Sequence, residues 1–137
     1  MNKQRTFRAK IRRLARKLGV RPVPRQDDVL VTLQIGRRLI NEGWCKYAWK
    51  RQVNDRFQYD VTAAIQRSVK YAAAKNEARA FWAAYYALIN QLPDGYSCLT
   101  QFNDNPKTTH QDVLDLYDRA IKAQGELKAA IEKGPIR

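Results

Sequence analysis

Ten of the chain's 26 Lys and Arg residues fall within its first 25 positions: Lys3, Arg5, Arg8, Lys10, Arg12, Arg13, Arg16, Lys17, Arg21 and Arg25. No acidic residue interrupts them. The whole chain carries a net charge of +13, so this arm supplies +10 and residues 26–137 supply only +3. Ten like charges repel one another and oppose compaction, so a polyanionic partner is the expected reason for them. Phosphate is the chemistry that fits. A Lys or Arg that neutralises a nucleic-acid phosphate releases a condensed counterion. Seven of the ten are Arg, whose planar fork grips phosphate through two hydrogen bonds and stacks on bases. The candidate phosphate-binding residues are therefore Arg5, Arg8, Lys10, Arg12, Arg13, Arg16, Lys17, Arg21 and Arg25, with Arg8, Arg12, Arg13, Arg16 and Lys17 foremost.

A second cluster lies in residues 44–58, WCKYAWKRQVNDRFQ. Lys46, Lys50, Arg51 and Arg56 interleave there with Tyr47, Trp49 and Phe57. If the rings are exposed, this composition suits unpaired bases, which stack on aromatic faces while cations track the backbone. If the rings belong to the core, the charges are only a solvated rim.

Catalytic and metal chemistry is thin by comparison. His110 is the only histidine, and it falls in the first turn of an expected helix. Asp104 is the one carboxylate that could accompany it. Asn103 and Asp104 read more simply as turn residues that bond their own backbone. Asp112, Asp115 and Asp118 recur at helical spacing, as on a solvated face, and lack the glycine turn and distal Glu of a calcium loop. Cys45 and Cys98 with one histidine fall short of a zinc ligand set and read as partly buried thiols. No glycine-rich phosphate loop, nucleophile elbow, finger or zipper occurs. No catalytic residue, metal site or cofactor is assigned, and a non-enzymatic protein is expected.

The elements that must carry these residues read as helices. Hydrophobic residues make up 45% of the chain, and alanine is abundant. In the arm, Phe7, Ile11, Leu14 and Leu18 form one apolar stripe of a helix over about 5–18, with bases around the rest. Pro22 and Pro24 then impose an extended linker. Asp27 and Asp28 open a second helix with Val29, Leu33, Gly36 and Ile40 on one face, ended by Gly43; Gly36 is small enough to admit a close neighbour. Residues 44–58 lack helical period, and the Asn54-Asp55 dipeptide marks a short hairpin or an ordered loop. Asp60 caps a third helix with Val61, Ala64, Ile65, Ser68, Val69 and Ala72 inward. Residues 75–77 are a break or a polar turn before a segment carrying Phe81, Trp82, Tyr85, Leu88 and Ile89. Leu92-Pro93-Asp94-Gly95 is a turn, and a short helix follows over 97–102. Thr109 with Asp112 forms a capping box for a last helix whose period runs through Val113, Leu116, Tyr117, Ala120, Ile121, Gln124, Leu127 and Ile131. The expected fold is all-α: a bundle of four to five helices (residues 27–137) with an aromatic-rich loop or hairpin, preceded by the basic arm (residues 1–26).

The body from about Asp28 to Ile121 resembles a family of small uncharacterised bacterial and phage helical proteins. The likeness rests on Leu39-Ile40-Asn41-Glu42-Gly43-Trp44-Cys45, on the aromatic-Asn-Asp piece Phe102-Asn103-Asp104, and on the capped segment from Thr109 to Ile121. Where that family carries Cys-x-x-Gly-Ala, this chain has Asp60-Val61-Thr62-Ala63-Ala64, so a paired-thiol role is not carried over. The resemblance implies a helical fold and a phage or bacterial origin, and no reaction.

Together these observations predict an accessory protein that binds nucleic acid, DNA or RNA, through phosphate contacts of its arm and with little sequence specificity. The alternative is a protein-interaction module whose arm docks on an acidic surface of a host complex or virion. The expected location is the host cytoplasm or the virion. A membrane partner is not expected, because four apolar residues without Trp bury little area.

Overall fold

A computed structural model describes residues 26–72 and 76–134. Along the chain run α1 (Gln26–Glu42), β1 (Lys50–Val53), β2 (Arg56–Tyr59), α2 (Val61–Tyr71), α3 (Glu77–Ile89), α4 (Leu99–Asp104) and α5 (His110–Glu132). The fold is mainly α, and the all-α expectation needs one correction. Residues 50–59 pair as an antiparallel two-stranded sheet, because Asn54 adopts φ 56° and closes a two-residue turn. Asn tolerates that left-handed conformation better than most residues. Helix α1 begins at Gln26, one residue inside the arm as bounded from the sequence.

The long helices α1 and α5 form the central antiparallel pair. Gly36 makes this possible. A Cβ there would lie 2.8 Å from Cε1 of Tyr117 on α5, so only glycine lets the buried phenol ring lie against the α1 backbone. The Tyr117 hydroxyl donates to the carbonyl of Val61 at 2.9 Å, which ties α5 to the start of α2. Arg37 and Asp118 close the rim with an ion pair. At the far end of the pair, His110 meets the carbonyl of Ile40.

Helix α2 starts where Asp60 accepts from the Ala63 N–H at 2.7 Å, and it buries the face read from its sequence: Val61, Ala64, Ile65, Ser68, Val69 and Ala72. Ala72 ends it, and Asn76 caps α3 by accepting from the Arg79 N–H. The segments before Ala72 and after Asn76 are therefore two separate helices. The capping box at Thr109 and Asp112 is present, both arms formed. Leu33, Ile40, Ile65, Leu88, Leu99, Leu116 and Tyr117 interlock in one core to which all five helices contribute.

Two expectations fail. Asn103 and Asp104 are not turn residues; they end α4, and Asn103 is fully buried. The turn function belongs to Asn105, whose side chain accepts from the Lys107 N–H. Leu127 and Ile131 continue the period of α5 but are exposed, because α5, at 23 residues, outruns the 17-residue α1 packed against it.

Candidate nucleic-acid interface

The hairpin is largely exposed. Every residue of β1 is exposed, as are Arg56 and Phe57 of β2. The register pairs Lys50 with Tyr59, Arg51 with Gln58, Gln52 with Phe57 and Val53 with Arg56. Side chains alternate across a sheet, so Lys50, Gln52, Phe57 and Tyr59 share one face, and Arg51, Val53, Arg56 and Gln58 the other. Each face thus carries at least one cation beside an apolar side chain. On the first, the Lys50 ammonium lies 4.6 Å above the Phe57 ring. Tyr47, Trp49 and Phe57 are 66%, 50% and 45% exposed, so the rings are not core.

Charge concentrates in the same place. Residues 44–59 hold four bases against the single acid Asp55, while the other twelve bases of residues 26–137 are matched by twelve acids. The net +3 of the body therefore resides in the hairpin and its entry loop.

A buried polar knot fixes that entry loop. The Asn103 side-chain oxygen accepts from Trp44 Nε1 at 2.7 Å and from the Val61 N–H at 3.1 Å, and its amide donates to the Cys45 carbonyl at 3.1 Å and to Asp104 Oδ1 at 2.9 Å. One side chain thereby joins the loop after α1, the start of α2 and the end of α4. Asp104 Oδ1 also accepts from the Tyr47 N–H at 2.9 Å. That bond holds Tyr47 at φ 60°, a conformation costing about 1 kcal/mol or more for a residue with a Cβ, and directs its ring to solvent. The Tyr59 N–H donates to the Gly43 carbonyl and the Cys45 N–H to the Tyr59 carbonyl, so the loop runs beside β2 like a third strand.

Two groups behind the knot are perturbed. Burial, with Asp104 nearby, pushes the Asp60 carboxyl up to about 6 even though it caps α2. Burial, then the charge of Asp60, raises the Cys45 thiol. His110 faces the knot from α5, its ring stacked on Trp44 with centroids 5.6 Å apart. Nε2 sits 2.7 Å from the Ile40 carbonyl; a carbonyl only accepts, so Nε2 carries the hydrogen. His110 thus satisfies one of the carbonyls left open at the C-terminus of α1.

Of the secondary residues predicted from sequence, Tyr47, Trp49, Lys50, Arg51 and Arg56 are brought together on one exposed projection. Lys46 is divided between roles: its ammonium donates to the Asn105 carbonyl at 2.7 Å and lies 5.4 Å from the Trp44 ring centre. The primary candidates Arg5, Arg8, Lys10, Arg12, Arg13, Arg16, Lys17, Arg21 and Arg25 lie outside the described residues, as does the helix expected over 5–18. Sequence reasoning missed Asn103 and Asp104 as the residues that set the loop. Their signal was present only as the aromatic-Asn-Asp piece, whose partner, the Gly-Trp-Cys piece, lies 59 residues away. Among the described residues, no group of three or more His, Cys, Asp or Glu could hold a metal ion, and no helix is long and apolar enough to cross a membrane.

The chain belongs to DUF6197, a family of unknown function. The DUF6197 model matches residues 24–123, a span that holds α1, the hairpin, α2 to α4 and the first half of α5. Residues 1–23 and the last turns of α5 lie outside it. No curated protein and no solved structure matches the chain.

Proposed function

We propose that this DUF6197 chain is a non-enzymatic accessory protein of phage or bacterial origin that binds nucleic acid, acting in the host cytoplasm or in the virion. The arm supplies phosphate contacts. The hairpin adds a second contact that favours unpaired bases. The observation that carries this reading is the coincidence of charge and exposed rings at residues 44–59: the body's whole net charge sits beside Tyr47, Trp49 and Phe57. Stacking on such rings contributes about 1–3 kcal/mol per base, and it is available only where bases are unstacked.

Gel-shift titration of the full chain and of the variant Trp49→Ala/Phe57→Ala, against single-stranded and duplex oligonucleotides of equal length, tests it. The variant is expected to lose at least about tenfold in affinity for the single strand, the equivalent of one stacked base, and little for the duplex. Absence of binding to either ligand at low salt would refute the reading. Recovery of a stoichiometric acidic protein from nuclease-treated lysate, in that event, would favour the docking of a protein surface instead.

A further inference from the structure

Among the described residues, two that are not glycine take a positive φ: Tyr47 at 60° and Asn54 at 56°. Asn54 is explained by its turn, since Asn accepts this conformation readily. Tyr47 is not explained by the fold. A bulky side chain is disfavoured there, and its ring buries little: at 66% it is the most exposed of the large apolar side chains described. Yet the conformation is held from several sides. The Tyr47 N–H donates to Asp104 Oδ1 at 2.9 Å, and the neighbouring Lys46 ammonium donates to the Asn105 carbonyl at 2.7 Å. Arg51 donates to the Lys46 carbonyl at 3.2 Å, and the Cys45 thiol to the Ala48 carbonyl at 3.4 Å. Asp104 is itself fixed by the Asn103 amide at 2.9 Å. A strained residue that its surroundings over-determine, with its ring turned to solvent, points to a contact made outside the chain.

We infer that Tyr47 is a pre-set platform on which an unpaired base stacks, and that Asp104 is the residue that positions it; this rests on the nucleic-acid reading above and names the ring that stacks. Other rings of the cluster are already engaged. The Lys50 ammonium lies 4.6 Å from the centre of the Phe57 ring, and Tyr59 leans on the same ring with centroids 6.4 Å apart. Trp44 carries His110 and the Lys46 ammonium. Tyr47 has no such neighbour among the described residues, so its faces are open to a base. Lys50 and Arg51 follow within four positions and supply cations for the backbone beside that base. Because the loop is fixed before any ligand arrives, seating a base on it costs little ordering entropy. A glycine or asparagine at position 47 would relieve the backbone and forfeit the ring, which is the trade expected of a binding residue.

Anisotropy titration of a labelled single-stranded oligothymidylate and of a duplex of equal length, with urea unfolding of each full-length protein, tests this. The unaltered protein and Tyr47→Phe, which keeps the ring, are expected to bind the single strand alike. Tyr47→Asn removes the ring and keeps a residue suited to positive φ. It should bind the single strand about fivefold or more weakly, the low end for one stacked base, bind the duplex as before, and unfold at an equal or higher urea concentration. Asp104→Ala and Asp104→Asn remove the same charge, but only the second keeps an acceptor for the Tyr47 N–H. The first should lose single-strand affinity and the second retain it. Single-strand binding by Tyr47→Asn equal to that of the unaltered protein would overturn the inference and leave the wider nucleic-acid reading standing. So would a lowered urea midpoint in Tyr47→Asn, which would make the ring a part of the fold. Equal binding by the two Asp104 variants would overturn the positioning role of Asp104. Absence of binding by the unaltered protein at low salt would sink the inference and the wider reading together.

Discussion

Asn103 ties three segments of this fold together. It is fully buried and makes four hydrogen bonds to three segments. Asn103→Leu leaves the Trp44 indole N–H, the Val61 N–H and the Cys45 carbonyl without that partner, and each such group costs about 1–3 kcal/mol when buried unpaired. Urea unfolding is expected to show a loss of at least about 3 kcal/mol, with Tyr47 and the hairpin loosened first. Asp60 gives the opposite kind of test. Its folded pKa of about 6 lies above the ordinary carboxylate value, so the folded state holds the proton more tightly than the unfolded chain. Its contribution is therefore favourable at low pH and is lost as pH rises through about 4 to 6. Asp60→Asn keeps an oxygen to cap α2 and removes the ionisation. Relative to the unaltered protein, it is expected to gain on the order of 2 kcal/mol at pH 7.5 and nothing at pH 4, read from urea midpoints at both pH values.

At the scale of elements, two glycines inside helices predict opposite outcomes. Gly36→Ala drives a methyl group into the fully buried Tyr117 ring, whose hydroxyl is already held by Val61. Overpacking of this kind costs about 1–3 kcal/mol and should lower the melting temperature. Gly125→Ala meets open space and should raise it, by about 0.5–1 kcal/mol of stability; thermal unfolding of the two variants settles the sign. The sequence made the element starts readable, because a cap is a local device: Asp60 with Ala63, and Thr109 with Asp112, lie three residues apart. Gly36 was readable as a close approach, and Asn54-Asp55 as a turn. What stayed hidden needed distant partners. Asn103 looked like a turn residue because Trp44, Cys45 and Val61 are 42 to 59 residues away. Leu127 and Ile131 looked like core because periodicity records a face and not whether another helix reaches it. The rings of Tyr47, Trp49 and Phe57 were undecidable for the same reason, since exposure depends on what fails to pack on them.

Considered whole, the two basic features join the described chain at opposite ends of α1. The hairpin leaves the end of α1 at Gly43, and the arm joins at Gln26, so the length of α1, about 25 Å at 1.5 Å per residue, separates their roots. Features that far apart should contribute additively. If about eight arm charges engage duplex phosphates, log affinity against log salt should have a slope near −7. Lys50→Gln/Arg51→Gln/Arg56→Gln should then reduce the slope for a single strand by about 2, at roughly 0.7 per contact. A titration across several salt concentrations measures this, and an unchanged slope would remove the hairpin from the contact surface.

The sealed position of Cys45 has a practical corollary. Its thiol is buried, bonded to the Ala48 carbonyl and raised in pKa, so an alkylating reagent reaches it only when the hairpin end of the bundle comes apart. Cys98 is half-buried and serves as the internal standard. The labelling rate of Cys45, normalised to Cys98, is thus an intrinsic stopwatch for how often this end of the protein opens, and a ligand that clamps the hairpin would slow it.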